Sequence, residues 1–196
     1  MAKKILTREK ILDAAEDVLR KFGPRKITVV DIARSLNVSH GAVYRHFDTK
    51  SALHEAITSR WLERAMVPLS EISNKTSSPK KRLHDWFKAL MDIKREKATE
   101  DPEMFASYAL LAQTIPKHII FEHLELMIQQ VEKILLDGVE DGSFEIKDCA
   151  ITARCLFHAT YRYHHPIHSD EWGNKNIKKD FEDLFFLLER AILKSN

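Results

Sequence analysis

The chain has 196 residues and a net charge of only +2, and its composition of 44% hydrophobic and 31% charged residues argues against a wholly disordered protein. With only 2 cysteines it is not a small disulfide-stapled domain, and its length corresponds to one or two domains. The 5 glycines and 6 prolines are few for this length, which favours long elements and a mostly helical protein.

The first two helices have clear start signals. The first is predicted to begin after Thr7, a good N-cap residue, because apolar side chains then recur at helical spacing. It ends at Gly23 and Pro24, which are typical of a helix C-terminus. Thr28 begins a short second helix, with Asp31 three positions later, at the spacing of a capping box.

A tight turn and a very short third helix follow. Asn37 tolerates the left-handed conformation that ends a helix, and Ser39 can cap a third helix over about residues 40–47. Two short helices joined by such a turn are the layout of a helix-turn-helix. A long fourth helix is predicted over about residues 50–72. At 100° per residue, one face of the third helix carries His40, Gly41, Tyr44 and Arg45.

The N-terminal part of the chain is also its basic part. Residues 1–50 hold eleven Lys or Arg against six Asp or Glu, a net charge of +5, whereas the remainder carries −3. A basic head on a mildly acidic body is expected where one end of a protein meets a polyanion such as DNA.

Four segments of this head form a specific pattern: Ile11-Leu-Asp-Ala-Ala15 with Phe22-Gly23, Thr28-Val-Val-Asp-Ile-Ala33, Val38-Ser-His-Gly-Ala-Val-Tyr-Arg-His-Phe47 and Lys50-Ser-Ala-Leu53. The last two combine into the spaced signature Gly-x-x-Tyr-x-x-Phe-x-x-Lys-x-x-Leu. In these features the stretch Thr7–Leu53 resembles the DNA-binding domain of the TetR family of bacterial transcriptional regulators. The resemblance covers about a quarter of the chain and implies a fold of nine helices.

The third helix is predicted to lie in the major groove. There Arg45 could donate to guanine edges and Tyr44 could reach a phosphate or a thymine methyl, while Gly41 lets the backbone approach closely. Helix N-termini at Thr28 and Lys50 can contact phosphates. The alternative is that such short helices only pack in a helical core. The predicted DNA-binding residues are Thr28, Ser39, His40, Gly41, Tyr44, Arg45, His46 and Lys50.

The remaining residues predict five more helices and no β-strand. The eighth helix extends from Asp148 to His165-Pro166, and residues 167–176 form a loop. The predicted fold is therefore all-α with about nine helices. A three-helix helix-turn-helix domain over residues 1–50 is joined by helix four to a larger ligand-binding and dimerisation domain over residues 51–196.

Aromatic and histidine side chains concentrate in the middle of the chain. They could line a cavity between helices, with His and Tyr as polar anchors, although most such residues in helical proteins are simply core. The family resemblance, rather than composition, implies a ligand pocket here, and the expected ligand is a small apolar or aromatic molecule. The predicted ligand-binding residues are Trp86, Phe105, Tyr108, Phe121, His158 and Tyr161.

The sequence carries no catalytic or metal-binding signature. The segment His158–His168 holds four histidines, but Pro166 interrupts its helical register and no HExxH motif accompanies it. We therefore expect no catalytic residue, no metal and no cofactor, although this segment could either line the pocket or bind a metal. Cys149 and Cys155 are expected to be buried small hydrophobes.

The last helix presents an apolar stripe that needs partners on more than one side. Pairing of the last two helices with their copies in a four-helix bundle would cover it, so a homodimer is expected. The alternative is a helix wholly buried in its own subunit. The predicted dimer residues are Phe181, Leu184, Phe185, Leu188 and Ile192, with Phe186 and Leu187 widening the stripe.

These features predict a homodimeric repressor that binds a palindromic operator in double-stranded DNA and is released by a small-molecule effector. The charged N-terminus is unlike a signal peptide and no apolar run approaches the ~18 residues of a membrane span, so we expect the bacterial cytoplasm, at the nucleoid, and no membrane partner. Two alternatives stay open: a DNA-binding regulator controlled by a partner protein, and a His-dependent metalloenzyme with an incidental helical head.

Overall fold

The computed structural model describes residues 5–23 and 27–194, and the regular structure in these ranges is helical. Its nine α-helices are α1 (Arg8–Phe22), α2 (Val29–Ser35), α3 (His40–Tyr44), α4 (Lys50–Ser73), α5 (Pro79–Glu100), α6 (Pro102–Ala112), α7 (Lys117–Glu140), α8 (Cys149–Ala159) and α9 (Ile177–Ile192). Two 3-10 helices, Tyr161–Tyr163 and Pro166–Gly173, lie between α8 and α9. The all-α prediction is confirmed. Within the same ranges no helix is both long and apolar enough to cross a membrane.

Local hydrogen bonds set the helix boundaries, as the sequence predicts. At the end of α1, Gly23 has a φ of +74° and its N–H donates to the carbonyl of Leu19. The predicted stop residue Pro24 lies outside the described residues. Within the described residues, seven N-cap side chains each accept a hydrogen bond from the backbone N–H three residues later and so satisfy a donor with no partner within the helix: Thr7, Thr28, Ser39, Thr49, Ser78, Asp101 and Asp148.

The chain divides into two compact units, each with its own apolar core. The first unit comprises the described residues up to Glu63 together with Asp101–Phe121, so it includes α1, α2, α3 and α6. Arg60 of α4 forms ion pairs with three carboxylates of α1, those of Glu9, Asp13 and Glu16. The core of this unit includes Ile11, Ala15, Leu19, Ile32, Val43, Phe47, Leu53, Ile57, Met104, Tyr108 and Leu111.

The second unit comprises Arg64–Glu100 and the described residues from Glu122 onward. Compact units are defined by packing, whereas the predicted division at residue 50 concerns function, and that division stays a prediction. The core of the second unit includes Leu83, Trp86, Phe87, Leu90, Val131, Leu135, Leu156, Phe157, Phe181 and Phe185.

The connection from α7 to α8 is closely packed against α7. The ring of Phe144 is buried over Gly138, so closely that a Cβ atom at position 138 would overlap its ring carbons. The N–H of Phe144 donates to the carbonyl of Gly138, and the N–H of Glu145 donates to the carbonyl of Ile192, both at 2.9 Å. An isolated antiparallel bridge joins Phe144 to Leu193. This connection therefore joins the ends of α7 and α9.

The end of α8 differs from the sequence prediction. The helix ends at Ala159, not at His165-Pro166, and part of the predicted loop over residues 167–176 lies in the second 3-10 helix. The hydroxyl of Thr160 lies 3.0 Å from the carbonyl oxygen of Leu156 and 3.1 Å from that of Phe157. A threonine hydroxyl bonded to carbonyls of the preceding turn competes with continuation of the helix, which explains the early end.

The prediction that both cysteines are buried is wrong. Cys155 is exposed and Cys149 is only partly buried. The inward side of α8 is occupied by Ala153, Leu156 and Phe157, all of which are buried. Cys155 lies between two of these positions and therefore faces outward, because successive helical residues are turned by about 100°.

Candidate DNA-binding site

The short helices α2 and α3 form the helix-turn-helix. Asn37 lies in the turn between them with a φ of +53°, the left-handed conformation expected for it. The N–H of Val38 donates to the carbonyl of Ala33 at 3.0 Å, which closes the end of α2. One residue later, the hydroxyl of Ser39 accepts from the N–H of Ala42 at 3.2 Å and starts α3. The turn is therefore held by bonds at both of its ends.

The two sides of α3 differ sharply in exposure. Its inner side is buried, because Val43 is 0% exposed and Phe47, just after the helix, is 1% exposed. The outer side is open to solvent, and Tyr44 is 43% exposed there. A helix of five residues is too short to be stable alone in water. α3 therefore depends on the packing of its inner side against the rest of the first unit. The exposed residues of this outer side are His40, Gly41, Tyr44 and Arg45, the same four that helical periodicity places on one face.

Arg8, which sequence reasoning missed, fixes the end of α3 from α1. Its Nη1 donates to the carbonyl oxygen of His46 at 2.7 Å, and its guanidinium lies 4.3 Å from the ring centroid of Phe47. Cation–π contacts of this kind contribute about 0.5–1 kcal/mol at exposed sites. Arg8 stands 38 residues before His46 in sequence, so no local spacing signals the contact.

The expected phosphate-contacting residues occupy different environments. The hydroxyl of Thr28 accepts from the N–H of Asp31 at 3.2 Å and donates to the carboxylate of Asp31 at 2.5 Å, so its proton is already engaged. Lys50 is exposed at the first residue of α4. Ser39 is exposed and its oxygen accepts from Ala42, which leaves its O–H proton able to donate. His46 is only partly exposed.

The first unit also has a groove between α1 and α2. Its volume is about 550 Å³, and it places Lys21 and Arg34 beside Thr28. Arg34 lies in the last turn of α2 and its Nη1 forms an ion pair with Oδ1 of Asp31 at 3.2 Å. The groove is lined by Val18, Lys21, Phe22, Thr28, Asp31, Arg34 and Ser35.

The predicted ligand-binding residues fall three in each unit. In the first unit, the ring of Tyr108 stacks on Trp61 at 4.7 Å between centroids, and Phe105 meets Trp61 edge-on at 6.2 Å. Phe121 is 63% exposed. In the second unit, Trp86 is fully buried and donates to the side chain of Gln130, His158 is exposed and Tyr161 is partly exposed. Their assignment to one ligand site stays a prediction.

The second unit also contains buried basic groups that sequence reasoning did not single out. Lys94 of α5 is 7% exposed and His123 of α7 is 8% exposed. Trp86, Leu90 and Lys94 follow one another at steps of four residues along the inner side of α5. This spacing is the sequence signal that could have predicted the burial of Lys94. Its ammonium lies near enough to His123 to lower the pKa of that imidazole.

Comparison with known proteins shows where this chain belongs. The sequence pattern of the family "Tetracyclin repressor-like, C-terminal domain" matches residues 79–185, and that of "Bacterial regulatory proteins, tetR family" matches residues 11–57. The first match alone covers more than half of the chain.

The chain belongs to the TetR family. The expected DNA-binding transcriptional regulator is thereby confirmed, and a ligand-responsive repressor is supported at the level of the family. The family is one of transcriptional regulators rather than of enzymes.

Several TetR-family relatives match over most of the chain. The transcriptional repressor KstR2 of Mycobacterium tuberculosis H37Rv is 26% identical over 141 residues, which are 70% of this chain and 68% of KstR2. The nucleoid occlusion factor SlmA of Vibrio vulnificus is 24% identical over 198 residues, 97% of this chain and 98% of SlmA. In structure, the Stenotrophomonas maltophilia efflux-pump repressor SmeT has a TM-score of 0.70 at 23% identity, over 97% of this chain and 92% of SmeT. This last likeness supports the fold.

The structure corrects which side of α9 this TetR-family chain leaves free. Phe181, Phe185 and Ile192, predicted to lie in a dimer interface, are buried in the core of their own unit. Leu184 and Leu188 are partly buried against that core. The opposite side is open, with Phe186 61% and Leu187 66% exposed. The predicted stripe was read from spacing alone, which cannot tell a side covered by the same chain from one covered by a partner.

Among the residues that the structure describes, no group of three or more His, Cys, Asp or Glu side chains has the arrangement of a metal site. In the His158–His168 segment, His165 stacks on Tyr161 at 4.1 Å between ring centroids. His168 contacts the carboxylate of Glu171 at 2.7 Å. The rings of all four histidines of this segment lie around that of Tyr161, at 4.1 to 6.5 Å between centroids, so they share an aromatic cluster without the arrangement of a metal site.

Proposed function

We propose that this TetR-family chain is a homodimeric repressor that binds a palindromic operator and releases it when a small molecule binds to the second unit. The observation that carries the proposal is the outer side of α3, which is exposed while its inner side is anchored in the core of the first unit. A helix of a helix-turn-helix that is exposed on one side, packed on the other and followed by Arg45 is suited to enter the major groove. The protein would act at the nucleoid in the cytoplasm, without catalysis.

Base reading and backbone anchoring are assigned to different residues. Arg45 and Tyr44, on the open side of α3, are proposed to contact base edges. Lys50 and Ser39 are proposed to contact phosphates, because both are exposed at helix N-termini. Thr28 contributes through the N-terminus of α2, since its own proton is engaged with Asp31. His40, Gly41 and His46 complete the proposed surface.

The dimer is proposed to form through the open side of α9. Phe186 and Leu187 are large apolar side chains exposed there, and Ile151 of α8 is 61% exposed. Exposed apolar side chains grouped on terminal helices are typical of a partner interface. A two-fold dimer presents two copies of α3, which matches a palindromic operator with half-sites about 34–36 Å apart or a multiple of that.

Control by a small molecule is supported by family membership and by one solved neighbour. SmeT, whose fold is similar at a TM-score of 0.66 over 96% of this chain, has been solved in complex with triclosan. A ligand that binds the DNA-free dimer more tightly than the DNA complex weakens DNA binding by the same factor. We propose this form of control for the present chain.

The operator can be found by selecting bound duplexes from random DNA with the full-length protein, and the expected result is a palindrome.

On that site, Arg45→Ala should weaken binding about 5- to 150-fold and relax specificity at one base position. Lys50→Ala should weaken binding to all duplexes alike and lower the salt slope by about one unit. Lys175→Ala, at an exposed position of the second unit, is the control and should change neither. Unchanged binding by Arg45→Ala to both specific and random DNA would overturn the assignment of α3.

A further inference from the structure

We propose that the effector of this protein is an apolar molecule with a carboxylate group, and that Lys94 and His123 in the second unit bind that carboxylate. The inference rests on the proposed control by a small molecule and names the chemical class of the ligand. It narrows the expectation of a mainly apolar or aromatic ligand, oriented by polar His and Tyr groups, to an organic acid.

Burial brings basic side chains of several elements together inside the second unit. Lys94 lies on α5, His123 on α7, and His164 in the segment after α8, and each is at most 8% exposed. Burial is the main cause that lowers the pKa of His123, of His164 and of the neighbouring His165, and the charge of Lys94 lowers all three further. Lys94 is therefore the shared neighbour of all three imidazoles.

His123 and His164 differ in their hydrogen bonds. The Nε2 atom of His164 lies 3.3 Å from both the hydroxyl of Thr160 and the carbonyl oxygen of Phe157, so this ring has local partners. The Nε2 atom of His123 is buried and has no hydrogen-bond partner among the described residues. A buried polar atom left without a partner destabilises a fold by about 1–3 kcal/mol, so it calls for an explanation. A ligand acceptor would satisfy it.

The electrostatics of this interior favour an anion. Burial lowers the pKa of Lys94 to about 8 and that of His123 to about 4. At pH 7 the ammonium is therefore mostly protonated, while the imidazole is neutral and can donate one N–H. The charges that act on the three imidazoles from within the described residues are those of lysine and histidine side chains. A carboxylate would accept from the Nε2–H of His123 and from the ammonium of Lys94, and charge-assisted bonds of this kind are the strong ones.

The surroundings indicate that the rest of the ligand is apolar. One helical turn before Lys94 lie the buried side chains of Leu90 and Met91, and one turn after His123 lies buried Met127. The ring of Phe157 is 4.7 Å from that of His164 between centroids, in the same core. Ligand sites of mainly apolar lining with a few polar anchors bind molecules of matching polarity. A metal ion is disfavoured, because the Lys94 ammonium would repel it.

The test uses the full-length protein and a panel of straight-chain carboxylates from hexanoate to dodecanoate together with benzoate. Binding is measured by calorimetry and by thermal unfolding, with the primary amide of each acid as the uncharged counterpart. At least one acid should bind and raise Tm by several degrees, and its amide should bind at least tenfold more weakly. Lys94→Met should reduce the affinity for that acid about 30-fold or more. Lys97→Met, at an exposed position one turn along α5, should not.

A stability measurement without ligand guards against a misfolded variant. Lys94→Met should unfold cooperatively with the helical content of wild type, because methionine keeps most of the length and the apolar part of the lysine side chain. His123→Leu removes the unsatisfied nitrogen and should be at least as stable as wild type, yet bind the acid at least tenfold more weakly. If Lys94→Met fails to fold, the affinity of His123→Leu for the acid alone tests the proposed carboxylate site. Failure of every acid to bind the wild type, equal affinity for acid and amide, or unchanged acid affinity in the folded variants would each overturn the proposal.

Operator affinity, measured with and without each compound, separates this inference from the proposed function. An acid that binds through Lys94 but leaves operator affinity unchanged supports the carboxylate site and contradicts control by that site. A neutral compound that releases the operator while no acid binds overturns the carboxylate site and leaves ligand-controlled repression standing.

Discussion

Gly138 shows how closely a single residue can be confined in this protein. In an open helix, replacing glycine by alanine stabilises by up to about 1 kcal/mol. Here a Cβ atom would overlap the buried ring of Phe144, which cannot swing into solvent. We therefore expect Gly138→Ala to destabilise the protein by about 1–3 kcal/mol, the range of overpacked cores, and to lower Tm by roughly 2–10 °C in thermal unfolding.

Gly173→Ala is the matched control for this substitution. No atom lies within 4 Å of a Cβ placed at Gly173, so its effect should stay within about 0.5 kcal/mol. Equal Tm values for wild type and Gly138→Ala would show that the loop carrying Phe144 can move away at little cost.

His164 predicts a dependence of stability on pH. Burial is the main cause that lowers the pKa of its imidazole to about 3, from 6.5 for an exposed histidine. The folded state thus binds fewer protons than the unfolded state between these values, so stability is fully present above pH 6.5 and is lost as pH falls towards 3. At pH 5 the loss from this one group is about 2 kcal/mol. Urea unfolding at pH 7, 6 and 5 measures it.

Two variants isolate the contribution of His164. His164→Asn should reduce the loss of stability between pH 7 and 5 by about 2 kcal/mol, because asparagine does not titrate there, while His123 and His165 keep their own contributions. His118→Asn, at an exposed position near the start of α7, should leave the loss as it is in wild type. Identical pH profiles for wild type and His164→Asn would contradict the prediction.

At the scale of elements, α3 depends on its neighbours, and the contact with Arg8 can be tested separately from DNA contacts. Arg8→Ala removes the bond to the carbonyl of His46 and the cation over Phe47. We expect about 5-fold weaker operator binding and faster amide hydrogen exchange over residues 42–47 in the DNA-free protein. Lys10→Ala, at a partly exposed position of α1, should leave the exchange unchanged. If exchange over residues 42–47 is unchanged by Arg8→Ala, Arg8 does not stabilise α3.

Helix starts could be predicted from sequence, whereas one helix end could not. Thr28, Ser39 and Asp148 act through hydrogen bonds to a backbone N–H three residues away, so the information is local. The end of α8 depends on Thr160, whose hydroxyl bonds backward instead of facing solvent. Threonine tolerates both arrangements in a helix, so its presence does not by itself mark an end.

At the scale of the whole molecule, the open side of α9 predicts the oligomeric state. Phe186→Glu places a charge at an exposed apolar position, so it should give a monomer that keeps its helical content but binds the operator weakly. Phe185→Glu should instead unfold the second unit, because that ring is 2% exposed within its own core. Analytical ultracentrifugation and circular dichroism measure both effects.

Lys179→Glu, an exposed change of charge on the same helix, is the control and should remain dimeric. A wild-type protein that sediments as a monomer at micromolar concentration would contradict the proposed dimer, as would a Phe186→Glu variant that stays dimeric.

The candidate sites differ in how far the sequence could reveal them. The surface of α3 lies within eight consecutive residues, and periodicity alone separates its exposed positions from Val43 and Phe47. Lys94 and His123 come together only through the packing of α5 and α7, and an isolated lysine in an amphipathic helix normally reaches solvent. Likewise, spacing showed α9 to be apolar over a wide arc but not that Phe185 faces its own chain.

The composition of the first unit limits how this protein can be dissected. Its core includes Met104, Tyr108 and Leu111 of α6, a helix that lies beyond residue 100 and is joined to α1 by the ion pair of Arg20 with Asp101. A fragment cut after the helix-turn-helix would therefore expose the apolar surface that α6 covers, and would be prone to aggregate. If the helix-turn-helix of this chain were exchanged for that of a relative, the new helices would have to pack against an α6 to which they are not matched. A hybrid regulator built from this chain needs α6 to be transferred along with the head.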